Sequence, residues 1–148
     1  MKEQGEESGT WTHEIQLEVR DYELDIQGIV NNSVYQNYLE HARHRLLKAI
    51  GLDFAELHAR GTDAIVTRAE IDYRASLRSG DGFVVLSRVL AHGRLRFIFN
   101  QEIRRLPDRE LCVEARIVAA TLVNGRPAPS EEIRLALERA QRPKRSSS

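Results

Sequence analysis

The sequence predicts an α+β domain in which one antiparallel sheet packs against a single long helix. Three observations point there. Five stretches alternate apolar and polar residues, the mark of half-buried strands. One stretch between the first and second of these follows a helical period instead. The strands that follow it are separated by short turns of the kind that join antiparallel neighbours.

In the first stretch, residues 11–19, Trp11, His13, Ile15, Leu17 and Val19 share one phase. Residues 21–31 then carry Asp, Gly and Asn and read as a turn. Val34, Tyr35, Tyr38, Leu39, Ala42, Leu46, Ala49 and Ile50 fall on one helical face, and Gly51 ends the run. Asn31, Asn32 or Ser33 can cap its start, since each side chain accepts a hydrogen bond from an exposed N–H. Residues 53–60 form a second, shorter helix that stops at Gly61.

Four strand-like stretches follow, at 64–76, 83–91, 95–106 and 111–123. Ser79 to Gly82, His92 with Gly93, and Pro107 with Asp108 supply the turns. Residues 117–123 are apolar at every position except Thr121, which places them in a strand covered on both faces. A last helix opens at Pro129 with Ser130 as its cap. One helix leaves much of a five-stranded sheet uncovered, so a symmetric dimer, and a dimer of dimers beyond it, is expected.

With 148 residues the chain makes one domain, expected at 11–140 between a disordered leader, 1–10, and a disordered tail, 141–148. Lys plus Arg and Asp plus Glu both number 22, so no net basic field argues for nucleic acid. No apolar run reaches the roughly 18–20 residues that span a bilayer. The single cysteine, Cys112, excludes an intramolecular disulfide and fits a reducing, cytoplasmic setting. His13, His41, His44, His58 and His92 lack the clustering of metal ligands, and neither a metal nor an organic cofactor is expected.

The chemistry concentrates in the turn before the long helix. Asp25 lies just upstream of a helix N-terminus, where backbone N–H groups are unpaired and carry roughly half a positive charge. A carboxylate beside such an anion-binding end can attack an activated carbonyl and hold the oxyanion that forms.

Val19, Asp21, Tyr22, Glu23 and Asp25, followed by Gly28, Val30, Asn31, Asn32 and Tyr35, resemble the signature of the 4-hydroxybenzoyl-CoA thioesterase family. The segment is most similar to that family's acyl-lipid and fatty-acyl thioesterase members. Leu77 to Asp81 is similar to the loop before the third strand there. The resemblance covers residues 14–133 and implies the hotdog fold, in which a five-stranded antiparallel sheet wraps one long helix. It implies that Asp25 is the catalytic acid and that the backbone N–H near Asn32 polarises the thioester carbonyl. Some relatives have histidine at the positions of Asn32 or Ile29; this chain does not, which leaves Asp25 to carry the reaction.

Several residues have a plainer reading beside the functional one. Asp25 is also a common turn residue, and Asn31 and Asn32 are also ordinary caps. Gly28 either permits a tight turn or lets substrate approach the backbone. Tyr35 and Tyr38 belong to the apolar stripe, though Tyr35 can also line a substrate channel. Asp21 and Glu23 either raise the pKa of a neighbouring acid by like-charge repulsion or stand in solvent. Among Arg74, Arg78, Arg88, Arg94 and Arg96, Arg78 is the best placed to meet CoA phosphates. Cys112 alternates out of phase with Leu111 and Val113 and is expected on the opposite face of the sheet.

Two functions follow. One is a hydrolase of fatty-acyl thioesters of CoA or acyl carrier protein. The other is a non-catalytic acyl-CoA binding or sensing module on the same fold. The carboxylate of Asp25 favours the first, because a binder has no use for an acid aimed at the carbonyl.

Overall fold

In a computed structural model, which describes residues 11–141, the chain begins with strand β1 (His13–Glu18). A single 3-10 turn at Asp21–Glu23 leads through the acid-bearing loop to helix α1 (Asn32–Ala49). Helix α2 (Phe54–Ala59) is followed by β2 (Thr62–Tyr73), β3 (Gly82–His92), β4 (Arg96–Arg105) and β5 (Glu110–Val123). A two-residue strand, β6 (Arg126–Pro127), precedes helix α3 (Glu131–Gln141). The expected leader lies outside the described residues. Of the expected tail, Gln141 closes α3 and the remainder also lies outside them.

The sheet runs β1-β3-β4-β5-β2, antiparallel throughout, with β6 added beside the end of β5. Its five long strands match the expectation; β6 was not foreseen, because two residues hold no periodicity. β5 lies inside the sheet between β4 and β2, as its two apolar faces predict. β1 and β2 are the two edges.

The sequence dictates where α1 starts and stops. Asn31 is the cap, its Oδ1 accepting the Ser33 N–H at 2.9 Å. At the other end Gly51 has φ +95°, and the N–H groups of Gly51 and Leu52 donate to the carbonyls of Lys48 and Leu47. That is the paired bond of a Schellman stop, for which only glycine takes the left-handed conformation without strain. Between these ends α1 buries Tyr35, Tyr38, Leu39, Ala42, Leu46 and Leu47 against the sheet. At about 1.5–3 kcal/mol for each large apolar side chain, this stripe holds helix and sheet together. Ser130 caps α3 as expected, its Oγ accepting the Ile133 N–H at 3.3 Å.

Strict alternation fails at one informative place. Ile103 pairs with Val113 and Arg104 with Leu111, so Cys112 is the extra residue of a β-bulge. The bulge turns Cys112 into the same core as Val113, with no exposed surface, and overturns the expectation that it occupies the opposite face. Polar residues also belong to the interior, Gln101 and Ser87 among them. Gln101 donates to the Leu39 carbonyl and to Ser87 Oγ, both at 3.0 Å, and accepts from Arg43 at 3.1 Å. Burial lowers the pKa of Arg43, whose guanidinium also lies over the Phe99 ring.

Candidate functional site

The loop between β1 and α1 is built from bonds to its own backbone. The Asp25 N–H donates to the Ile29 carbonyl at 2.8 Å, and the Gly28 N–H donates to the Asp25 carbonyl at 3.0 Å. Asp25 Oδ1 accepts the Gln27 N–H at 2.8 Å and the Ile29 N–H at 3.4 Å. Gly28 sits at φ +79°, and a Cβ added there would meet nothing within 4 Å. The glycine is therefore required by backbone conformation and not by crowding. Among the described residues, Asp25 Oδ2 has no hydrogen-bond partner.

Three groups at the start of α1 deal with their N–H groups differently. The Asn31 N–H donates to the Glu23 carbonyl at 3.4 Å, and the Ser33 N–H is taken by the Asn31 side chain. The Asn32 N–H has no acceptor among the described residues. It heads an 18-residue helix, so the aligned peptide dipoles leave partial positive charge there. Asn31 and Asn32 are both exposed, whereas Asp25 is half-buried.

The loop before β3 closes against this turn. Ile29 and Arg78 form an isolated antiparallel bridge, and the Val30 N–H donates to the Leu77 carbonyl at 3.0 Å. The Leu77 N–H donates to the Tyr35 hydroxyl at 2.8 Å. Tyr35 is 3% exposed, so its hydroxyl serves the loop's backbone, and burial raises its pKa. The Arg78 guanidinium is exposed and makes no ion pair among the described residues; its backbone N–H donates to Asp81. Of the other arginines, Arg74 pairs with Glu114 at 2.9 Å and Arg88 lies over the Trp11 ring.

Two acids read in the sequence as repelling or solvated groups are engaged. Asp21 is hydrogen-bonded by Ser79 Oγ. Glu23 Oε1 accepts the Arg20 N–H at 2.9 Å and the Tyr38 hydroxyl at 2.7 Å. Burial first, and then the Glu23 carboxylate, push the pKa of the Tyr38 phenol well above its usual value. Periodicity places Tyr38 in the core alone, and the one visible signal of a further role was a hydroxyl on an otherwise apolar stripe. A groove of 430 Å³ opens beside this pair, lined by Leu17, Arg20, Glu23, Asn37, Tyr38 and His41. No cluster of three metal-ligating side chains occurs among the described residues. No helix among them is long and apolar enough to cross a membrane.

Residues 19–137 match the family model described as the thioesterase-like superfamily. The chain is 41% identical over 112 residues to the chloroplastic acyl-acyl carrier protein thioesterase ATL3 of Arabidopsis thaliana, covering 76% of this chain. It spans 59% of that relative's length. Among solved structures, Slr0204 of Synechocystis, a 1,4-dihydroxy-2-naphthoyl-CoA thioesterase, superposes with a TM-score of 0.82 at 19% identity. That alignment covers 91% of this chain and all of Slr0204, and at this identity it speaks for the fold. A thioesterase of Thermus thermophilus, solved with coenzyme A and zinc, gives a TM-score of 0.77 at 29% identity. It covers 90% of this chain and 98% of its own. The fold is the hotdog fold, and the chain belongs to the thioesterase-like superfamily.

Proposed function

We propose that this protein hydrolyses fatty-acyl thioesters of CoA or acyl carrier protein to free acid and thiol, with Asp25 as nucleophile or general base. One observation carries the reading. Among the described residues, Asp25 keeps an unbonded carboxylate oxygen in the loop that leads into an unbonded N–H at the head of the long helix. In the direct route the carboxylate takes a proton from water as the water oxygen bonds to the carbonyl carbon. In the covalent route Oδ2 itself bonds to that carbon, and water later opens the acyl anhydride. In both, the C–S bond breaks and the sulfur leaves with its electron pair to be protonated.

The Asn32 N–H would hold the carbonyl oxygen as it gains charge, and an oxyanion donor of this kind is worth about 2.7–4 kcal/mol. Asn31 supports it by fixing the start of the helix, and Gly28 by closing the turn. Tyr35 keeps the neighbouring loop in place, and Arg78 on that loop would meet the phosphates of CoA. The names of the relatives support thioester substrates of both carriers, one of acyl carrier protein and one of CoA. The free, buried thiol of Cys112 supports a cytoplasmic location.

A homodimer, paired further into a tetramer, belongs to the same reading. β2 is a 12-residue edge strand with no neighbouring strand on its outer side among the described residues, and Ile65, Val66 and Tyr73 are 46%, 51% and 41% exposed on it. An edge of that length with exposed apolar residues on it can take an identical strand.

The test is to incubate the purified protein with palmitoyl-CoA and with palmitoyl-acyl carrier protein and follow free thiol. Thiol release that depends on Asp25 supports the enzyme. Saturable binding without release supports the sensing module instead.

A further inference from the structure

We propose that the hydrogen bond from Tyr38 to Glu23 is the latch that sets Asp25 against the head of the long helix. This makes both residues positioning residues, and the inference rests on the thioesterase reading above.

The geometry of the turn leads to this. Leu24 and Val30 pack against the core at its two ends, but Ile26, at the tip, is fully exposed at 101%. No apolar packing therefore anchors the tip beside Asp25. The ties within the turn, Asp25 to Ile29 and Gly28 to Asp25, fix its internal shape but not its angle to the helix. The bridge of Ile29 to Arg78 and the bond of Ser79 to Asp21 hold it to the loop before β3. Glu23 ties it to the helix. Its carbonyl receives the N–H of the cap residue Asn31, and its carboxylate receives the Tyr38 hydroxyl two turns further on. Among the described residues, Tyr38 to Glu23 is the one side-chain hydrogen bond between residues 20–30 and the helix.

Tyr38 is a firm post for such a bond. It is 7% exposed and packed on the Phe83 ring at 4.7 Å and the Tyr35 ring at 6.3 Å. Glu23 is two residues from Asp25, so a shift of its carboxylate is carried almost directly into the loop. The open groove beside the pair admits water to a Glu23 left without its partner, so losing the hydroxyl does not bury a naked charge. The loss should therefore be read in geometry and not in folding. Displacing a reacting group by about 1 Å can cost as much as 100-fold in rate.

The experiment measures amide hydrogen exchange and steady-state kinetics on the full chain, using palmitoyl-CoA for the kinetics. In Tyr38→Phe, exchange at Gln27, Ile29 and Asn31 should quicken while the amides of β3, β4 and β5 keep their protection. Turnover should fall by about ten-fold with KM changed by less than about two-fold, the pattern of misplacement and not of lost binding. Glu23→Gln, whose amide oxygen accepts the same two bonds, should keep most of the turnover; Glu23→Ala, which also loses the Arg20 N–H bond, should lose at least as much as Tyr38→Phe. The double variant Glu23→Ala/Tyr38→Phe should be no worse than Glu23→Ala alone, since the link that Tyr38→Phe removes is already broken there.

Wild-type exchange at residues 27–31 in Tyr38→Phe overturns the latch whatever the turnover. So do additive losses in the double variant, or unchanged turnover in Tyr38→Phe when Asp25→Asn abolishes it. If wild type releases no thiol, the thioesterase reading fails separately, and if Asp25→Asn turns over as fast as wild type the assignment of Asp25 fails; in either case the exchange data alone decide the latch.

Discussion

Asp25 and Ile29 hold each other from both ends: the Asp25 N–H donates to the Ile29 carbonyl, and the Ile29 N–H points back to Asp25 Oδ1 at 3.4 Å. The arrangement occupies one carboxylate oxygen with local backbone and leaves the other unbonded among the described residues. A carboxylate so fixed loses little side-chain freedom when it meets a substrate, which is how a positioned group gains over a free one.

Replacing Tyr35 by Phe should strand the Leu77 N–H, which has the Tyr35 hydroxyl as its buried acceptor. An unsatisfied buried donor costs about 1–3 kcal/mol. Denaturant unfolding should show a loss in that range with an unchanged m-value. A neutral substitution would mean that the loop before β3 is not held by this bond.

Arg78→Ala should raise KM for acyl-CoA about five-fold and leave kcat nearly unchanged, since the guanidinium is assigned to binding remote from the carbonyl. The defect should shrink with added salt, which screens the wild-type attraction. A kcat defect at constant KM would move Arg78 out of this role.

The folded protein should lose stability as pH rises above about 9. Burial pushes the Cys112 thiol up from its usual 9.0 to about 11, and Tyr35 and Tyr38 are raised as well. Below the ordinary thiol value both folded and unfolded states hold the proton, and the contribution of Cys112 is fully present. Between pH 9 and about 11 the unfolded chain releases its proton first, so stability falls with each step in pH. Thermal unfolding from pH 8 to pH 11 measures the slope. A thiol reagent at pH 8 should label Cys112 only on unfolding, because the thiol has no exposed surface.

Ile65→Lys combined with Val66→Lys should separate the subunits. These residues are exposed apolar positions on the β2 edge, and paired charges on such an edge repel an identical strand. Sedimentation should show the double variant at half the mass of wild type or less, with thioester turnover reduced alongside. An unchanged mass would mean that subunits meet elsewhere.

Residues on α1 show what was legible in the sequence. Its buried positions Tyr35, Tyr38, Leu39, Ala42 and Leu46 and its stop at Gly51 are local patterns and appear in the fold where the sequence puts them. Ala49, expected on the same face, is exposed, Leu47 is buried instead, and the cap, open among Asn31, Asn32 and Ser33, is Asn31. The five long strands and their succession along the chain were readable for the same reason. The bulges at Thr67 and Cys112 were not, because an inserted residue breaks alternation without altering composition. Contacts made by side chains far apart in the chain were equally hidden. Gln101 reaches Leu39 across 62 residues, Ser79 reaches Asp21 across 58, and Tyr38 reaches Glu23 across 15. Each depends on how the sheet curls around the helix, a property of the assembled layers and not of any one segment. At the site, the acid and the helix head could be read from the sequence; the bonds within the turn and from Tyr38 to Glu23 could not.

The most direct test is the single-turnover rate of Asp25→Asn on a palmitoyl thioester, measured beside wild type with folding checked by circular dichroism. The amide keeps the Oδ1 bonds to Gln27 and Ile29 but can neither attack nor take a proton, so the rate should drop by at least about 100-fold. A folded Asp25→Asn protein that hydrolyses at the wild-type rate would contradict the assignment of Asp25 as the reacting acid.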